Sequence, residues 1–576
     1  MEQGEISGNL VSQIAYDTQG TKRVVCRRSP GGRTAPETFT IRDLEGAPVF
    51  TGPLKPWGQC WGSDWWTGDF SAFDTEGSFY AAIEHGAHAT RTDAFNIKTD
   101  GLFELTWKPV SIDQAERRQW MVESRIGWYD AGTLWQECNS HSMYILGLCD
   151  LLQLRSDSFS VSDRNRIEQQ IINGLRYLNL LQDRAQAQGL GNGAVVHQAF
   201  KFDSEVVLAD VAKASAAWAR ASEVLGPPHT AERQDYRVRA RRALDWLEDP
   251  QPPPSLPFNS RAYGVAANTT CPSEIHDPLT QDLLMMLEAE LALAADTIPL
   301  QAVKIVRRLA QRQIGPEDDF DTQRGLFRRQ DGSDLTTKAW SHGFSEAAPL
   351  FPSDAHTEGD GGKLFPSDVG NVAGFYLLPI CRMLDRAPNH PEAKQWYDLL
   401  ATFAYDFWLP ACRQNPFGIS PYGHFQGEGP LCFSGLWHGC NTVYGLAAAL
   451  AFDLARILAD PAFREIGEAN LQWIAGLNAG LTQEAADSCI LVSHDVAATE
   501  ALPVSMIHGI GNRFAGSWLN IRGSICNGFS TGESFKWDVP PRADLDRPQT
   551  FSDEDWITHA GAWLMGVSRS QPHQER

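Results

Sequence analysis

The spacing of apolar residues changes once along this chain, and that change constrains the fold more than any single motif. From about residue 9 to residue 105 the apolar residues come in short runs bounded by turn signals. Phe39 and Ile41 alternate with Thr40 and Arg42, the pattern of a half-buried strand. Runs at 10–15, 23–28, 38–44, 78–84 and 94–98 are separated by clusters such as Ser29-Pro30-Gly31-Gly32. Strands so short and so closely spaced predict an all-β sandwich. From about Glu123 onward the spacing is helical. Met143, Leu146, Leu148 and Leu151 keep close to it, as do Val207, Val211, Ala214 and Trp218. The same holds for Leu284, Leu287, Leu291 and Ala294, and for Val443, Leu446, Leu450, Leu454 and Ile457. Further helical segments fall at 164–184, 231–248, 299–312, 370–387, 393–408 and 462–478. The expected organisation is a β domain over 1–110 and a helical domain over 111–576. The repeat is too irregular for a common solenoid.

Composition narrows the partners. A chain of 576 residues with 43% hydrophobic content is long enough for two domains. Its formal net charge of −22 repels nucleic acid and anionic membranes, and no apolar run is long enough to span a bilayer. Residues 1–17 lack the charged and apolar regions of a secretory signal, so a cytoplasmic protein is expected unless a signal has been removed. Eleven cysteines without a Cys-x-x-Cys pair predict reduced, mostly buried thiols, and neither a disulfide framework nor a zinc site. No cofactor and no metal are expected. Nineteen tryptophans exceed what a core of this size needs, which places some on a binding surface.

Long loops at 252–272, 339–370, 415–439 and 505–553 join the helical segments, and loops of such length usually carry function. The Trp-rich stretch 57–66 is expected as a loop packed on the second domain. Asp130 lies in the turn Gly127-Trp128-Tyr129-Asp130-Ala131-Gly132, just before a core helix that would hold it still. For an arbitrary Asp-x-Gly, helix capping is the better reading. Trp128 and Tyr129 beside this carboxylate make it less ordinary, because their flat faces suit sugar rings. His342, Asp354, His356, Asp360 and Asp368 share a loop region, but their spacing matches no metal motif and reads as a solvated loop. Tyr422, His424, Trp437 and His438 read as cleft wall or interface. Gly361-Gly362-Lys363 lacks the strand and helix context of a phosphate loop.

Several motifs together resemble glycoside hydrolase family 9, in the subgroup with an N-terminal immunoglobulin-like domain. Val11-Ser12-Gln13-Ile14-Ala15-Tyr16, Phe39-Thr40-Ile41-Arg42-Asp43, Asp69-Phe70-Ser71-Ala72-Phe73 and Gly77-Ser78-Phe79-Tyr80 resemble that first domain. The turn around Asp130 resembles the family's Gly-Gly-Trp-x-Asp-Ala-Gly-Asp segment. Ala475-Gly476-Leu477-Asn478-Ala479-Gly480 is placed like its Leu-Gly-x-Asn-Pro turn, and His508-Gly509-Ile510-Gly511-Asn512-Arg513 like its His-His-Arg motif. Asp553-Glu554-Asp555-Trp556-Ile557-Thr558-His559-Ala560-Gly561 sits where the family has its acidic motif. The resemblance implies an Ig-like β-sandwich followed by an all-α (α/α)6 toroid, with a carbohydrate substrate in a cleft at one end.

It also implies roles. Asp130 helps hold the attacking water, and Glu554 or Asp553 is the general acid, with residue type favouring Glu554. Trp128, Tyr129, His508, Arg513, Trp437 and His438 would contact sugar. Arg513 could equally pair with an acid to fix its loop, and His559 reads as a packed helix residue or as a group orienting the acid. One departure matters. The family's base is the second Asp of its Asp-Ala-Gly-Asp, and here that position is Thr133, which cannot act as a base near neutral pH. Either Asp130 serves alone, or Glu137, Glu533 or Asp538 has moved in, or the site is not a hydrolase site. The readings are an inverting glycosidase on a β-linked oligosaccharide or glycoconjugate, a carbohydrate-binding pseudo-enzyme, and a polysaccharide lyase. The negative charge makes the last, with its uronate substrate, the least comfortable.

Overall fold

A computed structural model describes residues 7–31, 35–85, 88–132, 134–200, 204–250, 278–294, 297–316, 324–328, 331, 377–421, 423–425, 429–433, 441–484, 494–495, 501–530, 548 and 550–571. The expected candidates Thr133, Tyr422, Trp437, His438, Glu533 and Asp538, the 342–368 cluster and the 361–363 segment lie outside them, and His424 is described in its backbone alone.

The first hundred residues form a two-sheet sandwich. One sheet holds β1 (Ser7–Leu10), β3 (Arg23–Arg28), β7 (Ser63–Asp69) and β6 (Lys55–Cys60) in the order β1-β3-β7-β6. The other holds β2 (Ala15–Tyr16), β10 (Phe95–Ile97), β8 (Gly77–His85), β4 (Thr38–Asp43) and β5 (Pro48–Pro53), with β9 (His88–Arg91) on β8. Strand β3 explains why its sequence, Arg-Val-Val-Cys-Arg-Arg, is apolar on both faces. Val24 and Cys26 point into the sandwich core with Phe39, Ile41 and Phe70. Val25, on the opposite face, joins the core of the helical domain. Arg27, on that same face, donates from Nη1 to the Ala479 carbonyl at 3.2 Å. The Trp-rich stretch is not a loop. It is the β6–β7 hairpin, turned at Trp61 (φ 51°) and Gly62 (φ 67°), and Trp61 stacks on Phe417 at 6.0 Å. The packing role expected for it therefore comes from a strand pair.

Helices begin at α1 (Gly101–Lys108), three residues beyond the last sandwich strand, and continue through a π turn (Pro109–Asp113) into α2 (Gln114–Met121). Then follow α3 (Cys138–Leu154), α4 (Val161–Ala187), α5 (Leu208–Val224), α6 (Thr230–Glu248), α7 (Thr280–Leu293) and α8 (Leu300–Arg312). The chain goes on through α9 (Leu378–Arg386), α10 (Ala393–Thr402), α11 (Leu409–Cys412), α12 (Asn441–Ile457), α13 (Pro461–Ile474) and α14 (Ile557–Ser568). Between α13 and α14 lies a small antiparallel sheet, β13 (His494–Asp495), β15 (Thr550–Asp555) and β14 (Cys526–Ser530), and β11 (Gly423–Phe425) pairs with β12 (Gly429–Leu431).

Packing sorts the helices into two layers. Among the described residues α3 packs on α5, α5 on α7, α7 on α9, α9 on α12, α12 on α14 and α14 back on α3. All of these but α9 are buried nearly all round, as helices with neighbours on every side must be. Their partners α4, α6, α8, α10 and α13 pack outside them, with α1 against α14. The eight described cysteines are free, and all but Cys60 are buried.

Candidate active site

The site gathers where α3, α5, α12 and α14 begin. Glu137 is the residue before α3, Asp210 lies in the first turn of α5, Asn441 opens α12 and Trp556 precedes α14. Helix N-termini present unpaired N–H groups and favour negative charge, so acids are at home here.

The turn 126–136 is tied down from several sides. Asn173 on α4 accepts the Gly127 N–H at 3.1 Å and donates to its carbonyl at 3.1 Å. Gln136 donates to the Ile126 carbonyl at 2.8 Å, and Asp130 N–H donates to the Trp135 carbonyl at 3.0 Å. His141 accepts the Trp128 N–H at Nε2 (3.0 Å), so its proton sits on Nδ1, which donates to the Glu137 carbonyl at 2.7 Å. Burial holds this imidazole neutral, lowering its pKa to about 3 against the opposing pull of that carbonyl.

Asp130 itself is 1% exposed. Its Oδ2 accepts the Glu137 N–H at 2.7 Å, and among the described residues Oδ1 has no hydrogen-bond partner. Its carbonyl accepts the Ile557 N–H at 2.7 Å, which fastens the turn to the first residue of α14. Burial, then the neighbouring Glu137 charge, raise its pKa well above the ordinary carboxylate value, against the pull of the Glu137 N–H, Arg118 and His197.

Strand β15 brings the acidic motif opposite. Glu554 Oε2 accepts from Asn527 Nδ2 at 3.2 Å. Asn527 Oδ1 in turn accepts from His559 Nε2 at 2.8 Å, and His559 Nδ1 meets the Thr442 hydroxyl at 2.5 Å. His559 is packed within α14 and also reaches the Glu554 carboxyl through Asn527, so both expected readings stay open. Burial, then the negative charges of Asp555, Asp130 and Glu137, hold the Glu554 carboxyl well above its usual range despite the Asn527 amide. The neighbours from strand alternation differ: Asp553 accepts from Trp518 Nε1 at 3.2 Å, and Asp555 pairs with the buried Arg118. Arg118 also donates to the Tyr129 carbonyl at 2.9 Å, so the half-buried Tyr129 is held by its backbone.

Three expected sugar contacts have their polar groups engaged within the protein. Trp128 is 0% exposed, its ring stacked on His141 at 5.2 Å and its Nε1 bonded to Gln170 at 2.9 Å, so it offers no face to a ligand. The reason is α4, which lies across the ring. Arg513 reaches Asp93 of the sandwich at 3.5 Å and Gln483 at 3.0 Å, while Asn512 N–H donates to the Gln13 carbonyl at 2.9 Å. Its loop-fixing reading therefore describes it better. His508 is spent on the Ala515 carbonyl (2.9 Å) and Asn520 (3.1 Å).

The sequence reading missed Trp518, Asn527, Arg118, His197 and Asp210. Trp518 lies half-buried against Gly132, where an added Cβ would come within 2.3 Å of its ring. Beside this turn Phe200 is 74% exposed and Leu134 is exposed as well, and Tyr177 links their two loops by bonding the Gln136 carbonyl (2.6 Å) and the Ala199 N–H (3.2 Å). Aromatic and apolar groups thus flank a nest of acids. Among the described residues no group of His, Cys, Asp and Glu is arranged to hold a metal ion.

Comparison with known proteins bears on the fold. Residues 10–87 match the family model of the cellulase N-terminal Ig-like domain. The fold of the whole chain is similar to a metagenome-derived glycoside hydrolase family 9 endoglucanase, with TM-score 0.59, 14% identity, and 98% of this chain and 99% of that one covered. It is similar to the same degree to a family 9 protein of Bacteroides ovatus, at TM-score 0.59, 14% identity and 98% coverage of both chains. A third similar structure is AaCel9A in complex with cellobiose-like isofagomine, at TM-score 0.53, 15% identity, and 97% and 99% coverage. No curated protein sequence matches the chain.

Proposed function

We propose that this chain is a glycosidase that cleaves a β-linked glucan-type oligosaccharide or glycoconjugate with inversion at the anomeric carbon. The observation that carries this is the meeting of Asp130 and Glu554, more than four hundred residues apart in sequence, in one buried cluster. The Ile557 N–H bonds the Asp130 carbonyl, and the charge on Asp130 is felt at Glu554. The fold likeness to family 9 endoglucanases, one of them holding a cellobiose-like ligand, supports a β-glucan type of substrate. The closed order of contacts among α3, α5, α7, α9, α12 and α14 supports an (α/α)6 toroid with the site at its N-terminal end.

In this mechanism Glu554 is the general acid. Burial, then the charge of neighbouring carboxylates, favours its protonated form, and the Asn527 amide fixes Oε2. The carboxyl protonates the leaving oxygen as the glycosidic bond opens. Asp130 is the base. Oδ2 is held by the Glu137 N–H, and Oδ1 takes a proton from the attacking water. The ionised form of Asp130, opposed by burial and Glu137, is favoured by the Glu137 N–H and by the positive charges of Arg118 and His197. Trp518, half-buried beside Gly132 and bonded to Asp553, offers a flat face for a sugar ring.

The test is a panel of β-linked oligosaccharides assayed for new reducing ends, with the anomer of the first product followed by proton NMR. Turnover with the α-anomer appearing first is expected. Asp130→Asn should then lose turnover while still binding the sugar, because the amide keeps the shape and loses the proton-accepting charge. Binding without turnover in the wild type would make the chain a carbohydrate-binding pseudo-enzyme, and unsaturated products absorbing in the ultraviolet would make it a lyase.

A further inference from the structure

We infer that Glu137, His197 and Asp210 form a positioning array for Asp130, fixing where its carboxylate points and how readily it accepts a proton. The inference rests on the reading of Asp130 as the base and goes beyond it to three residues that no motif marks.

The geometry is a chain of contacts through three separate segments. Asp210, in the first turn of α5, accepts from His197 Nδ1 at 2.7 Å. His197 lies in the segment bridged by Val196 and Val206, and its Nε2 stands 3.7 Å from Glu137 Oε1, an ion pair rather than a hydrogen bond. Glu137, at the start of α3, gives its N–H to Asp130 Oδ2 at 2.7 Å. The backbone closes the array, because Cys138 N–H donates to the His197 carbonyl at 3.0 Å. All four side chains are buried. Burial opposes charge on His197, yet Asp210 and Glu137 together outweigh it and raise its pKa to about 10. The imidazolium therefore persists at neutral pH between two carboxylates.

Burial, then the charge of Glu137, oppose ionisation of Asp130. Arg118 and His197 favour it, and Arg118 is already matched by Asp555. Lys213, in the second turn of α5, adds its charge near Cys138. The array thus does two things. It commits Oδ2 to a backbone N–H, leaving Oδ1 for the reaction, and it makes the carboxylate more basic without removing it from the pocket.

The test reads the groups directly. Full-length protein carrying carboxyl-13C aspartate is titrated, with the Asp130 resonance identified by its loss in Asp130→Asn. Imidazole 15N titration follows His197 in parallel. Glu137→Gln should lower the Asp130 midpoint by on the order of one pH unit, since a neighbouring negative charge is removed. Asp210→Asn should lower the His197 midpoint, and Glu137→Gln should lower it too. The acid limb of kcat/KM should move to lower pH in Glu137→Gln, with Glu137→Asp restoring part of the wild-type profile. Unmoved midpoints in folded Glu137→Gln and Asp210→Asn proteins, checked by circular dichroism, would overturn the inference. If one variant does not fold, the other decides. A chain that turns over no sugar yet shows these shifts keeps the array and loses the hydrolase reading, and an active enzyme with unmoved midpoints does the reverse.

Discussion

Glu554 and Asp130 occupy surroundings that disfavour negative charge, but their hydrogen bonds differ. Glu554 receives a side-chain amide and Asp130 a backbone N–H, so the second is fixed to the fold more firmly. If Glu554 donates the proton, Glu554→Gln should cost about 10²–10⁴-fold in kcat on an oligosaccharide. The loss should be much smaller on an aryl glycoside whose leaving group needs no proton. Equal losses on both substrates, measured side by side, would point to a binding role for Glu554. The histidines beneath the site set a pH dependence of stability. His141 has its folded pKa lowered to about 3, so the unfolded chain binds the extra proton first as pH falls. Its contribution is complete above about 6.5 and declines toward 3. His141→Gln, whose amide can both accept from Trp128 and donate, should flatten the fall in thermal midpoint between pH 6.5 and 4. A curve parallel to the wild type would show that other groups carry that slope. His197 works in the opposite direction. Its raised folded pKa of about 10 gives stability that is full below about 6.5 and is lost as pH climbs through 10.

Elements were legible where one physical signal dominated and misread where two competed. Helical spacing placed α4 and α6 within a few residues, because long amphipathic stretches carry their own period. The stretch 57–66 was expected as a loop because Gly58 and Gly62 punctuate it. In the fold Trp61 and Gly62 are a two-residue turn, and the flanking residues pair as strands. The α1–α2 segment escaped detection because Pro109 signals a helix end, whereas here a π turn carries the chain past it. Asp130 could be found because a turn before a core helix has a recognisable composition. His197 and Asp210 could not, since their partnership exists once α3, α5 and the bridge at Val196 have packed together. Helix contacts give an element-scale prediction. Gly147 on α3 faces Gly561 on α14, and a Cβ at Gly147 would lie 2.4 Å from the Gly561 carbonyl oxygen. Backbone cannot yield there as a side-chain tip could. Gly147→Ala should destabilise by about 3 kcal/mol, near the top of the overpacking range. Denaturant unfolding with unchanged slope measures it, and a neutral result would mean that the two helices can part freely.

At the scale of the molecule, the two ends of the inner helices are electrically unlike. The N-terminal end gathers Asp130, Glu137 and Glu554, and burial, then their mutual repulsion, raises the pKa of Asp130 and Glu554. At the C-terminal end the acids are matched by guanidinium groups. Arg220 reaches Asp150 at 2.9 Å and Glu288 at 3.0 Å and also pairs with Glu223. Arg382 bonds Glu288 at 2.7 Å, Arg386 bonds Glu223 at 2.6 Å, and Arg569 joins Asp150 to Asp453. Cations are favoured at helix C-termini, so this network and the helix dipoles reinforce each other. Burial alone would raise the pKa of Asp150 and Glu223, yet their arginine partners hold both below the ordinary range, as a satisfied network requires. Arg220 is the keystone because its side chain is 3% exposed and touches three acids from α3, α5 and α7. Arg220→Met keeps much of the volume but removes the buried guanidinium that the three carboxylates share, while Arg569, Arg382 and Arg386 still pair with them. The expected loss in chemical denaturation is about 3 kcal/mol, the low end of the range for breaking a buried pair by removing one partner. The loss should shrink as pH falls and the under-compensated acids take up protons. Because the network lies at the far end of α3 and α5 from Asp130 and Glu137, kcat at a permissive temperature should stay near the wild-type value. A variant that loses turnover while remaining fully stable would show instead that the far end of the helices communicates with the site.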